Sequence, residues 1–440
     1  MKNKKWMAIL LGGIMAASLA APCSVSAAEK TTLTFWHAMG GTNGEVLQQI
    51  VDDFNASQDE IEVKAEYQGT YDDTITKLKA AMQSDSGLPD VCQMYDVGTK
   101  FMYDSGAVIP VEDKFESTGY DKSSVMDVIS SYYTVDGKQY AMPFNVSTPM
   151  LYYNKDVFEA AGLDPETPPT TYDEVLEDAK KIVESGAAPV GYSQAIYGWF
   201  FEQQLAGLGV TYGNNDNGRK EAVTAVDFDS NGGGLKVFDM WKKLYDSGYF
   251  EDYGTTTADT QTAFFSGQVG MIIESTAILK NAVDSSPFEV GTGYLPRIEQ
   301  NDEGGVIIGG GSLWLTDTGN EANEDAAWKF IEYITTPDVQ AKWSMGTGYF
   351  AINEKAYETE DMKAYLKENP NFETAINQLK DSPVNCNTAG VLSGVQTEAR
   401  LTFNEIMPQV YDGKLTTQDA VDQLAASVNK AIENYNESIK

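Results

Sequence analysis

The chain has 440 residues, a net charge of −34 and one histidine, His37. That acidic balance excludes a nucleic-acid partner, since a phosphate backbone demands basic surface, and one imidazole with three cysteines leaves no zinc-binding Cys/His cluster. About 410 residues beyond an N-terminal leader exceed one ordinary core, so two domains are expected.

The leader comes first. Lys2, Lys4 and Lys5 precede an apolar run over 6–21, and small residues follow at Ser24-Val25-Ser26-Ala27-Ala28. This order predicts a secretory signal over 1–28, cleaved after Ala27 or Ala28. The run is too short and too rich in Gly and Ala for a spanning helix. Cys23 offers a rival reading as a lipidated cysteine. Lipoprotein signals place Leu three residues before Cys, whereas Leu19 lies four before and Pro22 adjoins. Plain cleavage is therefore favoured. Either route exports the chain to the periplasm or the outer face of the membrane. Cys92 and Cys386 remain, enough for one disulfide or none.

The mature chain then alternates between strand and helix patterns. Residues 32–36 alternate as a strand. Thr42 with Glu45 resembles a capping box before the helical spacing of Val46, Leu47, Ile50, Val51 and Phe54. A second strand spans 61–67, a helix 74–82, and "LPDVCQM" a third strand, the β-α-β-α-β order of a parallel sheet. "PMLYYNKDVFEAAG" turns from strand into a short helix that ends at Gly162. Thr171 and Glu174 cap a helix through Val183. A buried strand runs over 267–275, and 304–316 reads as a strand pair or bent strand broken by Gly309, Gly310 and Gly311. Pro337 opens a helix at its first position. From Thr417 one apolar stripe, Ala420, Val421, Leu424, Ala425, Val428, Ala431, Ile432 and Tyr435, marks a long packing helix.

No G-x-S-x-G elbow and no G-x-x-x-x-G-K-[ST] loop occurs, so a nucleophile elbow and a P-loop are disfavoured. His37 has no partner in sequence for a triad. Two suitably spaced carboxylates would still suffice for a glycosidase. The 24 Tyr and 7 Trp suit a ligand cleft, because their rings pair a flat apolar face with a polar tip. Read singly, the candidate positions have ordinary explanations. Arg400 would pair with Glu398 or Glu405 on its helix, Ser147 would shape a turn, the glycines a bend, and Trp199 the core.

Taken together, "FWHAMGG", "NVSTPMLYYNKDVFEAAGLDP", "GGGSLWL" and "TGYFAINEKAY" resemble, in order and spacing, the extracellular family 1 solute-binding proteins of ABC importers. The resemblance implies an α/β, two-lobed periplasmic-binding-protein-like fold of type II, each lobe a β-sheet flanked by helices and joined by hinge crossings. It implies lobe one at 29–143 plus 304–345 and lobe two at 144–303 plus 346–440. No catalysis, cofactor or metal is implied. The implied partners are a small phosphorylated glycerol or sugar ligand and the importer's membrane permease subunits.

The family's ligand contacts fall on Tyr71, Asp96, Ser147, Trp199, Ser275, Gly310, Tyr349 and Arg400. They imply sn-glycerol 3-phosphate or a glycerophosphodiester. Arg400 would fork onto the phosphate. Ser147, Ser275, Tyr349 and the Gly310 N–H would add donors, while Asp96 and Tyr71 would meet glycerol hydroxyls. Trp199 would cover the C–H face. An oligosaccharide binder is the alternative, and it predicts Arg400 paired to an acid. An extracellular glycosidase or phosphodiesterase is the third reading.

Overall fold

The computed structural model describes residues 30–84 and 87–440. The expected leader and Cys23 lie outside the described residues. In chain order the strands are β1 (Thr31–His37), β2 (Ile61–Tyr67), β3 (Val91–Tyr95), β4 (Val108–Ile109), β5 (Thr134–Val135), β6 (Lys138–Gln139), β7 (Met142–Ser147), β8 (Pro149–Asn154), β9 (Val190–Ser193), β10 (Val269–Ser275), β11 (Val290–Gly293) and β12 (Gly309–Thr316).

Two sheets organise two lobes. The first runs β2-β1-β3-β12-β4, with β7 also paired to β12. β1 is parallel to β2 and β3, as the opening β-α-β-α-β pattern predicts. β12 closes the sheet by running antiparallel to β3 and β7. Leu33 and Phe35 of β1 are fully buried, and the helix Gly41–Ser57 turns Leu47, Ile50, Val51 and Phe54 inward. Phe330 of the helix Glu321–Ile334 packs on both Phe35 and Phe54. A segment late in the chain thus completes the core begun at its start.

The second sheet runs β11-β8-β10-β9. Thr171 and Glu174 form the expected capping box on the helix Tyr172–Ser185 behind it. The helix Thr417–Ser438 buries the predicted stripe from Ala420 to Ile432 in this core, with Tyr435 half-buried against it. Phe403 of the helix Gln396–Tyr411 meets Phe201 of the helix Gly198–Gly207 at 5.1 Å.

Three expectations change. The first helix begins at Gly41 with Gly40 as its cap and no side-chain cap bond, so Thr42 and Glu45 form no capping box. Gly41 sits at φ +55, a turn that needs no side-chain anchor. Residues 304–308 are not strand. Gly304 and Gly305 instead donate to the carbonyls of Gly207 and Ala206, where a helix ends and its free acceptors await partners. Finally, β7 stays paired with β12 through Ser147, so Phe144–Ser147 belong to the first sheet. Only Thr148 separates it from β8, and Thr148 is tied to Thr276 through both backbone groups. Cys92 and Cys386 are both free thiols.

Candidate functional site: the inter-lobe cleft

The end of β3 meets the N-terminal half of the helix Gln396–Tyr411, where Tyr95 and Asp96 bond to Thr397 and Arg400. That helix is held close to the helix Gly198–Gly207, because a Cβ at Gly198 would lie 2.5 Å from the Arg400 Cα. The Gly198 N–H caps the approach by donating to Asn404 Oδ1 at 2.9 Å. One turn on, Glu202 faces Arg400. The guanidinium donates from Nε and Nη2 to the two carboxylate oxygens at 2.7 Å each, and Nη2 also reaches Asp96 Oδ2 at 2.8 Å. All three side chains are buried. Burial opposes the Arg400 charge, but Asp96 and Glu202 outweigh it and hold the guanidinium charged. Burial lifts Glu202 above the usual carboxylate range, with Arg400 and Gln396 pulling it back.

A polar relay forms the opposite wall. Ala38 N–H donates to Gln93 Oε1 at 2.8 Å, Gln93 Nε2 to Asn145 Oδ1 at 2.6 Å, and Asn145 Nδ2 to the Tyr71 hydroxyl at 2.7 Å. Every donor in the relay points toward Tyr71, whose own hydroxyl is directed at Tyr349. The Tyr349 hydroxyl lies beside Tyr71 and Asn145. Tyr71 stacks on Tyr95 at 5.1 Å and Tyr349 on Trp343 at 5.6 Å, which fixes both rings.

The floor is the β7–β12 seam. Gly310, at φ +92, pairs with Val146, and Gly309 pairs with Ser147. A Cβ at Gly310 would lie 1.8 Å from Asn145 O, and one at Gly309 would lie 2.7 Å from the Trp199 ring. Trp199 is buried, with no partner for its indole Nε1 among the described residues. The Ser147 hydroxyl likewise makes no hydrogen bond within the described residues, whereas Ser275 Oγ accepts from Ala277 N. The structure thus links Asp96 directly to Arg400, sets Tyr349 beside Tyr71, and places Ser147, Gly310 and Trp199 along the β7–β12 seam, whereas Ser275 lies at the end of β10 with no bond to any of them. Arg400, however, does not stand open. It is neutralised by Glu202 and Asp96, and Asp96 is engaged with it rather than free for a hydroxyl.

Sequence reasoning missed Glu202, Asn145, Gln93, Tyr95 and Thr397. Glu202 carried a readable signal, since an acid within "WFFEQQL" enters an apolar helix and a buried carboxylate demands a partner. The other four gave none. Burial pushes His37 down to about 4, and its Nδ1 accepts from Met39 N.

The lobes touch beyond the Arg400–Asp96 bond. The Tyr95 hydroxyl meets Thr397 Oγ1 at 2.6 Å, Tyr435 donates to Asp104 at 2.7 Å, and Arg219 donates to Tyr132 O at 2.8 Å. A separate void of about 530 Å³ lies among Pro168, Tyr294, Arg297, Gly304, Gln378 and Asp381. None of the eight residues lines it, and Gln378 and Asp381 are already bonded to Leu295 N and Tyr294. The chemistry concentrates at Arg400 instead.

Two α/β lobes meeting over a buried polar junction define a bilobed binding protein. Residues 49–374 match the bacterial extracellular solute-binding protein family, and the chain belongs to it, as a solute-binding protein of an ABC importer. It is 30% identical over 417 residues to the sn-glycerol-3-phosphate-binding periplasmic protein of Escherichia coli strain K12, covering 93% of this chain and 94% of that one. A cyclic α-maltosyl-1,6-maltose binding protein from Arthrobacter globiformis superposes with a TM-score of 0.76 at 26% identity, over 92% of this chain and all of that one. A Mycobacterium tuberculosis protein crystallised with glycerophosphocholine shares the fold at a TM-score of 0.79 and 21% identity, over 93% and 100% of the two chains. No helix among the described residues is long and apolar enough to cross a membrane.

Proposed function

We propose that this chain is exported, binds sn-glycerol 3-phosphate or a glycerophosphodiester between its lobes, and delivers it to membrane permease subunits without chemical change. The observation that carries the reading is the convergence of Arg400, Ser147, Tyr71, Tyr349 and Gly310 on one junction. Arg400 Nη1 donates to no protein group among the described residues, which leaves its two N–H bonds available to a phosphate oxygen. The Ser147 and Tyr349 hydroxyls supply neutral donors. Lobe one takes the first sheet and lobe two the second, hinged at Thr148 and along 304–308. A ligand touching both lobes favours closure by its differential affinity for the closed state.

The test is thermal shift with sn-glycerol 3-phosphate, glycerophosphocholine, maltose and glycerol. A ligand at about 100 times its Kd adds about 2.7 kcal/mol. Stabilisation by maltose alone overturns the phosphate reading, and ligand converted on long incubation overturns the transport-only reading. A sugar ligand is the second reading. The pairing of Arg400 with two acids favours it, since a neutral polyol needs no open cation.

A further inference from the structure

The charges of the cleft do not balance in favour of a highly charged anion. Arg400 is the only cation bonded into the junction among the described residues, and it is shared by the carboxylates of Glu202 and Asp96. The triad therefore carries one net negative charge. One further acid stands close by: Asp72 accepts from the Tyr95 hydroxyl at 3.0 Å. Arg219 gives the ligand no donor and the triad no direct bond, because its three donor nitrogens are spent on the backbone carbonyls of Tyr132, Ala389 and Gly390. The remaining donors, Arg400 Nη1 and neutral hydroxyls, can hold one phosphate oxygen charge. A second charge would meet uncompensated carboxylates at low dielectric.

A phosphate monoester carries about −1.5 to −2 at neutral pH. A phosphodiester has no second ionisable oxygen and carries one charge. We infer that Glu202 is a specificity-determining residue: by neutralising Arg400 it tunes the cleft to a singly charged glycerophosphodiester and against the doubly charged phosphomonoester. This rests on the proposed phosphate-binding function and narrows it. Glu202 acts through Arg400, holding its Nε–Nη2 edge so that only Nη1 reaches the ligand.

The test is calorimetric titration of the purified chain at about pH 8, where the monoester is doubly charged. Glycerophosphoglycerol and sn-glycerol 3-phosphate are compared, since the former adds no cationic head group. The expected result is binding of the diester at least about tenfold tighter than the monoester, because juxtaposed like charges are costly at an interface. Glu202→Gln keeps the size and one acceptor but removes the charge. It should narrow that ratio at least about tenfold, chiefly by gaining monoester affinity. Equal or tighter binding of the monoester by the wild type overturns the inference while leaving the proposed function standing. An unchanged ratio in a folded Glu202→Gln chain overturns it too. If Glu202→Gln does not fold, the wild-type ratio decides alone. Binding of maltose with neither phosphate compound overturns the proposed function itself and the inference with it.

Discussion

Arg400 and Glu202, 198 residues apart in sequence, form a bidentate pair inside the cleft, with both bonds at 2.7 Å. The same guanidinium reaches Asp96 in the first lobe, so one cation joins a carboxylate from each lobe. The residue expected to anchor the ligand is therefore also part of the contact that draws the lobes together.

Arg400→Ala leaves Glu202 and Asp96 buried without their cation. Breaking a buried pair from one side costs about 3–5 kcal/mol. Urea unfolding should show a loss of that order, partly recovered in Arg400→Ala/Glu202→Gln, where one stranded charge is gone. A single variant as stable as the wild type would falsify this account of the triad. Binding assays on Arg400→Ala are meaningful only below its own unfolding midpoint.

Glu274 supplies a pH signature. Burial pushes its carboxyl up to about 7, against stabilising bonds from Gln261 and the Ser275 N–H. The folded chain thus holds a proton that the unfolded chain releases near the ordinary carboxyl value. This favourable term is full below about pH 4.3 and disappears as pH rises through about 7, on the order of 3 kcal/mol in all. His37, pushed down to about 4, acts oppositely and loses stability as pH falls from about 6.5. The raw stability curve mixes the two. Subtracting the curve of Glu274→Gln isolates the first, and a difference that stays flat between pH 5 and about 8 would count against it.

Gly310→Ala should be more damaging than an ordinary strand substitution. Its φ of +92 disfavours any side chain, and the added carbon would lie 1.8 Å from Asn145 O. β7 and β12 would have to separate where Asn145 begins the bond to Tyr71. A destabilisation of at least about 2 kcal/mol is expected, together with weakened ligand binding. Chemical denaturation and titration on the same preparation check both, and a neutral outcome in either contradicts the seam as drawn.

The Tyr435 contact tests closure away from the ligand residues. Its ring lies flat over Gly394, where a Cβ would come within 2.0 Å of the ring, and its hydroxyl reaches Asp104 across the lobes. Gly394→Ala should displace the ring, cost about 1–3 kcal/mol and break the cross-lobe bond. Small-angle scattering of the ligand-free chain should then show a larger radius of gyration than Tyr435→Phe, which loses only the hydroxyl. Identical scattering from both variants would remove Tyr435 packing from the closing contacts.

Much of this protein was legible before folding. Period-two alternation placed β1, β2 and β3, helical spacing placed the inward faces of the first and last helices, and Thr171 with Glu174 announced the cap of the helix Tyr172–Ser185, because these signals act between neighbours in sequence. The motifs around Tyr71, Ser147, Gly310, Tyr349 and Arg400 marked positions that do come together. What sequence could not supply was partnership across distance. Nothing local distinguishes an Arg400 facing solvent, paired with Glu398, from one locked between Glu202 and Asp96. That choice was made when Gly198 let two helices approach within backbone contact and the lobes brought β3 against them. The Ala38–Gln93–Asn145–Tyr71 relay is of the same kind, each amide unremarkable until four segments align it. Local chemistry determined the elements and the residue types of the cleft. Tertiary packing decided its charge, because a buried carboxylate's effect depends on which cation the fold sets beside it.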